Sequence, residues 1–173
     1  CGCDSVMTNL TSADLDDSLK SILAGMNDAI PAGMGKDKDP SPYAAPWMKN
    51  NPLVTDVVAE DRIEHAGRQL GTLGSGNHFA EICLDEDDRV WLLLHSGSRG
   101  IGNQLAQAHI KGTREMAKKL EVDLEDLDLA WLSEGTPEFD AYISDMLWSQ
   151  AYAYANRQAM MHAFLGLIIK HVP

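Results

Sequence analysis

Between Gly71 and Asn103 the chain reads GTLGSGNHFAEICLDEDDRVWLLLHSGSRGIGN, two glycine-rich loops enclosing two short apolar runs. No other stretch restricts the backbone so closely. His78 to Leu84 and Val90 to Leu94 are strand-like runs, and the acidic Asp85 to Asp88 between them is a turn, so a β-hairpin is expected. Centring that turn between Glu86 and Asp87 opposes residues whose numbers sum to 173: Asp85 with Asp88, Ile82 with Trp91, His78 with His95. Directly opposed residues share a sheet face, with β-carbons about 4.5–5.5 Å apart. Two imidazoles therefore converge at the open end of the hairpin, each beside backbone that a ligand can approach closely. That is a way to build a metal or phosphate site.

The elements around the hairpin make an α+β protein: a β core containing the 78–94 hairpin, with helices at 12–28, 103–119 and 137–170. Thr11-Ser-Ala-Asp14 is a capping box. Leu15, Leu19, Ile22, Leu23 and Met26 follow it at helical spacing as one apolar face, and Pro31 ends the element. Residues 31–52 hold five prolines and read as a long irregular loop, and residues 53–69 are weakly helical. The second glycine loop feeds a helix, and residues 121–135 are an acidic, turn-rich surface. Thr136-Pro137-Glu138 opens the last helix with a hydroxyl cap, a proline in the first turn and a favourable acid. Tyr142, Met146 and Tyr154 on it are expected in the core. Asn156 and Arg157 in mid-helix read as a solvated face or as residues with a structural or phosphate role.

At 173 residues, positions 1–173 are expected to form one domain. A net charge of −12 excludes a chain-wide nucleic-acid surface but leaves room for a local basic or metal-lined cleft. No apolar run approaches the ~20 residues of a membrane span. Cys1, Cys3 and Cys83 are an odd number at uninformative spacing, so a disulfide framework is not expected and a reducing cytoplasm is the natural compartment. The opening Cys1-Gly2-Cys3, without an initiator methionine, reads as a processed product or a fragment of something longer. Gly97 to Gly102 lies between a strand and a helix, where backbone N–H groups favour anions. Its spacing is neither that of a P-loop nor that of a dinucleotide fingerprint.

Gly71-Thr-Leu-Gly-Ser-Gly-Asn-His-Phe79 and Leu94-His-Ser-Gly-Ser-Arg-Gly-Ile-Gly-Asn103 together resemble the RtcB family of RNA-splicing ligases. The resemblance extends to Cys1-Gly2 with Thr8 to Leu15, to Ile30-Pro-Ala-Gly33, and to Glu134-Gly-Thr-Pro137 with Tyr142, Asp145 and Tyr152 to Arg157. It covers essentially the whole chain. It implies an enzyme joining RNA 3′-phosphate or 2′,3′-cyclic phosphate ends to 5′-hydroxyl ends, with GTP and a two-metal Mn²⁺ site, inside an RtcB-type fold. Carried over residue by residue, it makes Cys1, His78 and His95 metal ligands. Asn77, His78, Phe79 and Glu81 then lie beside the guanylate, and Ser96, Ser98 and Arg99 bind a phosphate. A thiolate with imidazoles suits Zn²⁺ better than Mn²⁺, so metal availability helps decide occupancy.

The family's metal-binding aspartate precedes its cysteine, and its third metal histidine and guanylylated histidine lie beyond Pro173. No catalytic nucleophile is therefore expected within the chain, and His162 and His171 lack the motif context to serve. The complementary remainder of an RtcB chain is an expected partner, and the isolated chain is expected to be inactive. Two alternatives stand beside the ligase segment: a non-catalytic metal- and phosphate-binding module, and a metal-dependent phosphoesterase that activates water.

Overall fold

The computed structural model describes residues 1–33 and 42–172. Strands β1 (Gly2–Thr11), β2 (Phe79–Leu84) and β3 (Arg89–Ser96) form an antiparallel sheet in the order β1-β3-β2. The helices are α1 (Ser12–Leu15), α2 (Leu19–Ala29), α3 (Ala44–Asn50), α4 (Glu60–Gln69), α5 (Arg99–Lys119) and α6 (Pro137–His171), with a 3₁₀ turn at Leu127–Leu129. The architecture is α+β. Val90, Leu92 and Leu94 alternate inward from the central strand and meet Ile22 of α2 and Met160, Phe164 and Ile168 of α6. A second cluster joins Ala44, Ala66, Leu70, Ile101, Leu105 and Tyr152, so α6 is the spine shared by both cores.

The hairpin closes one residue away from the expected register. Asp85 N–H donates to Arg89 O (3.1 Å), leaving a three-residue loop in which Asp88 takes a left-handed φ of 60°. Pairs therefore sum to 174: Phe79 opposes His95, Ile82 opposes Leu92 and Cys83 opposes Trp91. The cause is Asp85 itself. Its carboxylate accepts from the backbone of Asp87 (3.1 Å) and Arg89 (2.8 Å) and from Trp91 Nε1 (2.9 Å), which organises a longer turn than the apolar pattern reveals. A slip of one residue exchanges sheet faces, so only the turn chemistry could have selected the register.

The same bonds, Trp91 first, push the Asp85 pKa down to about 2. Because the folded value lies below the unfolded one, near 3.9, the contribution is complete above about pH 4 and is lost as pH falls toward 2. Asp85→Asn is therefore expected to flatten the stability curve in that window, measured by urea unfolding at stepped pH. An unchanged slope would assign the acid sensitivity to other carboxylates.

Strand β1 is absent from the sequence-based expectation, which began at Thr11. Asp4, Ser5, Thr8 and Asn9 hide its period, yet Val6 and Leu10 pack inward while Cys3 and Met7 are exposed. The capping carboxylate is present: Thr11 N–H and its hydroxyl both donate to Asp14 (2.8 Å each), and this pulls the Asp14 pKa down. The helix expected over 12–28 is two pieces, broken across Asp16–Ser18, which lets Leu15 and Ile22 both reach the core. The break leaves Leu19 and Leu23 exposed, contrary to the single apolar face.

Three further corrections follow from packing. The loop over 31–52 contains α3, whose Trp47 meets Trp148 and Tyr152 edge-on; its residues 34–41 lie outside the described residues. Helix α5 begins at Arg99 rather than Asn103, and so absorbs the second glycine loop from Arg99 onward. Tyr154 is exposed, while Asn156 is fully buried. The start of α6 is as expected, with Thr136 Oγ1 accepting from Phe139 N–H (3.3 Å) and Pro137 in the first turn.

Candidate metal and phosphate site

Strand β3 delivers His95, and β1 runs antiparallel beside it with Gly2 opposite Ser96 and Cys3 opposite His95. That register carries Cys1 past the end of the sheet toward Gly97. A Cβ on Gly97 would lie 2.9 Å from Cys1 Sγ and 3.3 Å from Cys1 Cα, so a larger residue here would crowd the cysteine. His78 precedes β2 and leaves the strand's alternation. It therefore turns toward His95 although Phe79, not His78, is the paired residue. The two rings meet edge-on with centroids 5.8 Å apart.

One potential ligand atom from each of Cys1, His78 and His95 lies within 4.8 Å of the others. Cys1 Sγ is 3.2 Å from His78 Nε2. Among the described residues, His78 Nδ1 and His95 Nε2 are buried nitrogens without a hydrogen-bond partner, an arrangement that proteins rarely leave unexplained. Burial holds the His78 pKa below its ordinary value, with the nearby His95 and Arg99 adding to the effect. The neutral imidazole, the form that binds metals, is thus favoured. One soft sulfur and two imidazoles fit a divalent transition metal.

Gly74 supplies the space for His78. A Cβ at this position would stand 1.9 Å from His78 Nδ1 and 2.7 Å from Arg99 Nη1. Gly74→Ala is expected to rotate the imidazole away and weaken Mn²⁺ binding about tenfold, the low end of the usual cost of disturbing a ligand's surroundings. Titration with Mn²⁺ tests this; parent-like affinity would show that the ring need not occupy this place.

Arg99 reaches the first glycine loop from the start of α5. Its Nε donates to Thr72 Oγ1 (3.1 Å) and its Nη2 to Gly33 O (2.8 Å). Both partners are neutral oxygens, and burial lowers the guanidinium's pKa, so among the described residues the cation has no carboxylate paired with it. Its backbone φ of 56° is a strained value for a residue with a side chain. Ser98 precedes it at the helix N-terminus. Ser96 is fully buried, with its hydroxyl 3.5 Å from Asn156 Nδ2, and so lies on the core side of β3 rather than beside the open loop.

The remaining candidates line the mouth. Asn77, Phe79 and Glu81 are exposed next to His78, and Phe79 stacks on His95 with centroids 5.7 Å apart. Asn156, which the sequence leaves between a solvated face and a structural or phosphate role, is the joint beneath the site. Its Oδ1 accepts from Gly71 N–H (2.7 Å) and Thr72 N–H (3.2 Å), while Nδ2 donates to Thr72 O (3.3 Å) and Gly97 O (3.2 Å). One amide thus ties both glycine loops to α6. Arg157 was likewise ambiguous; it pairs with Asp4 of β1 (3.2 Å) and donates to Ser96 O (3.5 Å). An isolated asparagine inside a helix carries no signal for such a part.

Comparison with known proteins places the sequence in a family. The family described as "tRNA-splicing ligase RtcB" matches residues 1–173. The chain belongs to the RtcB family. An Escherichia coli protein named RNA-splicing ligase RtcB1 is 39% identical over 175 residues, covering 93% of this chain and 43% of the relative. RNA-splicing ligase RtcB of E. coli K12 has the same identity and coverage. The tRNA-splicing ligase RtcB of Methanococcus maripaludis is 29% identical over 204 residues, covering 94% of this chain and 42% of its own. The chain therefore spans less than half the length of these RtcB relatives. No helix among the described residues is long and apolar enough to cross a membrane.

Proposed function

We propose that this chain is a segment of an RtcB-type RNA ligase, contributing part of its metal and phosphate site within an RtcB-type fold. The observation that carries the reading is the convergence of Cys1, His78 and His95, each of which brings one potential ligand atom within 4.8 Å of the others. These three residues would hold Mn²⁺ as part of a two-metal site, and bound metal would polarise phosphate oxygens as a Lewis acid. Asn77, His78, Phe79 and Glu81 flank the guanylate of GTP, Phe79 offering an exposed aromatic face and Asn77 polar groups. Arg99 and Ser98 at the start of α5 receive an RNA phosphate, with Ser96 holding the loop from below. The substrates are RNA 3′-phosphate or 2′,3′-cyclic phosphate ends and 5′-hydroxyl ends. The histidine that accepts the guanylate belongs to a motif outside this chain. Three unpaired cysteines fit a reducing, cytoplasmic setting.

A chimera tests this reading. The matched segment of the E. coli relative is replaced by this chain, and GMP attachment is followed by intact mass beside an RNA end-joining assay. The chimera is expected to form the adduct with GTP and Mn²⁺ and to join ends, while the isolated chain does neither. A chimera that folds and binds Mn²⁺ but forms no adduct would favour the non-catalytic binding module. Adduct formation by the isolated chain would show that its own histidines include the nucleophile.

A further inference from the structure

We propose that Cys3 is a positioning residue that sets the tautomer of His95, a role that rests on the metal reading above. Alternation along β1 places Cys1 and Cys3 on one face of the strand, and the register sets Cys3 directly opposite His95. Cys3 Sγ is 3.1 Å from His95 Nδ1. The other ring nitrogen, Nε2, is buried and has no hydrogen-bond partner among the described residues. Across the sheet Phe79 stacks on the same ring, so the imidazole is held from both neighbouring strands.

Two proton placements are available, and they differ in what Nε2 becomes. If the Cys3 thiol donated to Nδ1, Nε2 would carry the hydrogen and would be a buried N–H with nothing to receive it. If Nδ1–H donates to the sulfur, Nε2 is a bare lone pair, free to serve as the ligand atom this ring brings beside Cys1 and His78. The second placement removes the orphan donor and prepares a ligand. Histidines that bind metals ordinarily fix their tautomer by donating the other N–H to a partner, and here the partner is a cysteine sulfur. Cys3 acts through His95 and is not itself one of the three mutually close donors.

The experiment uses the metal-free chain labelled with ¹⁵N-histidine, held about two pH units above the ordinary imidazole pKa. Long-range proton–nitrogen correlation reads the His95 tautomer, and Mn²⁺ titration reads affinity. The parent is expected to show Nδ1–H. Cys3→Ser, whose hydroxyl can still accept, should keep that tautomer and most of the affinity. Cys3→Ala should revert to the Nε2–H form common in free imidazoles and lose about 10- to 100-fold in Mn²⁺ affinity. Cys3 is exposed, so all three proteins should melt alike without metal. An Nδ1–H tautomer surviving in Cys3→Ala overturns the proposal, as does parent-like affinity of Cys3→Ala where His95→Ala binds poorly. Unchanged Mn²⁺ binding by His95→Ala overturns the metal reading itself, a result that the tautomer measurement cannot produce.

Discussion

Asn156→Leu is expected to destabilise the chain by about 4 kcal/mol, at the limit of what single substitutions ordinarily cost. The shape is nearly kept, so the effect isolates the hydrogen bonds. Leucine leaves the N–H of Gly71 and the carbonyls of Thr72 and Gly97 without the partner they now share, while the Thr72 N–H keeps its bond to Gln69 O (3.1 Å). Each buried group left unpaired costs about 1–3 kcal/mol, and local relaxation recovers part of the sum. Native stabilities are about 5–15 kcal/mol in all, so the variant should be marginal in a denaturant titration. Asn156→Asp supplies a second readout. It keeps the acceptor, loses the donors and places a carboxyl in a fully buried position, so its folded pKa should rise. A raised carboxylate pKa favours folding at low pH and is lost as pH climbs, opposite to the behaviour of Asp85. Either variant melting like the parent would mean that the loops hold their places without α6.

His78→Ala and His95→Ala are expected to lower Mn²⁺ affinity at least 100-fold, since each removes a donor rather than a neighbour of one. Apo stability should change by less than about 1 kcal/mol, because neither ring belongs to the buried clusters and surface-near substitutions are usually mild. A structural histidine would behave the other way, costing about 1–3 kcal/mol without metal through an unpaired partner. Melting in chelator and Mn²⁺ titration therefore separate the two roles. Affinity should also fall as pH drops below the ordinary imidazole range, since protons compete for the same lone pairs. Burial, with His95 and Arg99 nearby, holds the His78 pKa below its ordinary value, so this ring keeps its neutral form further into acid than a free imidazole would. Variants that melt well below the parent in chelator yet bind Mn²⁺ as it does would rule out the ligand assignment.

How much of this was legible depends on the distance over which each feature is decided. The capping acid Asp14, the Thr136-Pro137 helix start and the inward alternation of Val90, Leu92 and Leu94 are set by neighbours within a few residues. So are the two histidine motifs that carry the family resemblance. The sequence by itself therefore determined the α+β class, the central strands, the long last helix and the residues brought to the site. Only the tertiary structure decided how they meet. β1 becomes a strand because β3 offers it an edge, despite its polar residues. Asp85 shifts the hairpin by one residue, which the apolar pattern cannot sense. His78 and His95 converge because His78 sits outside the strand's alternation, not because the two are paired. Asn156 reads as a polar residue in a helix until both glycine loops present their backbone to it. Hydrogen bonds between segments 60 to 85 residues apart have no local signature, since any polar side chain can make them once the fold brings the partners near.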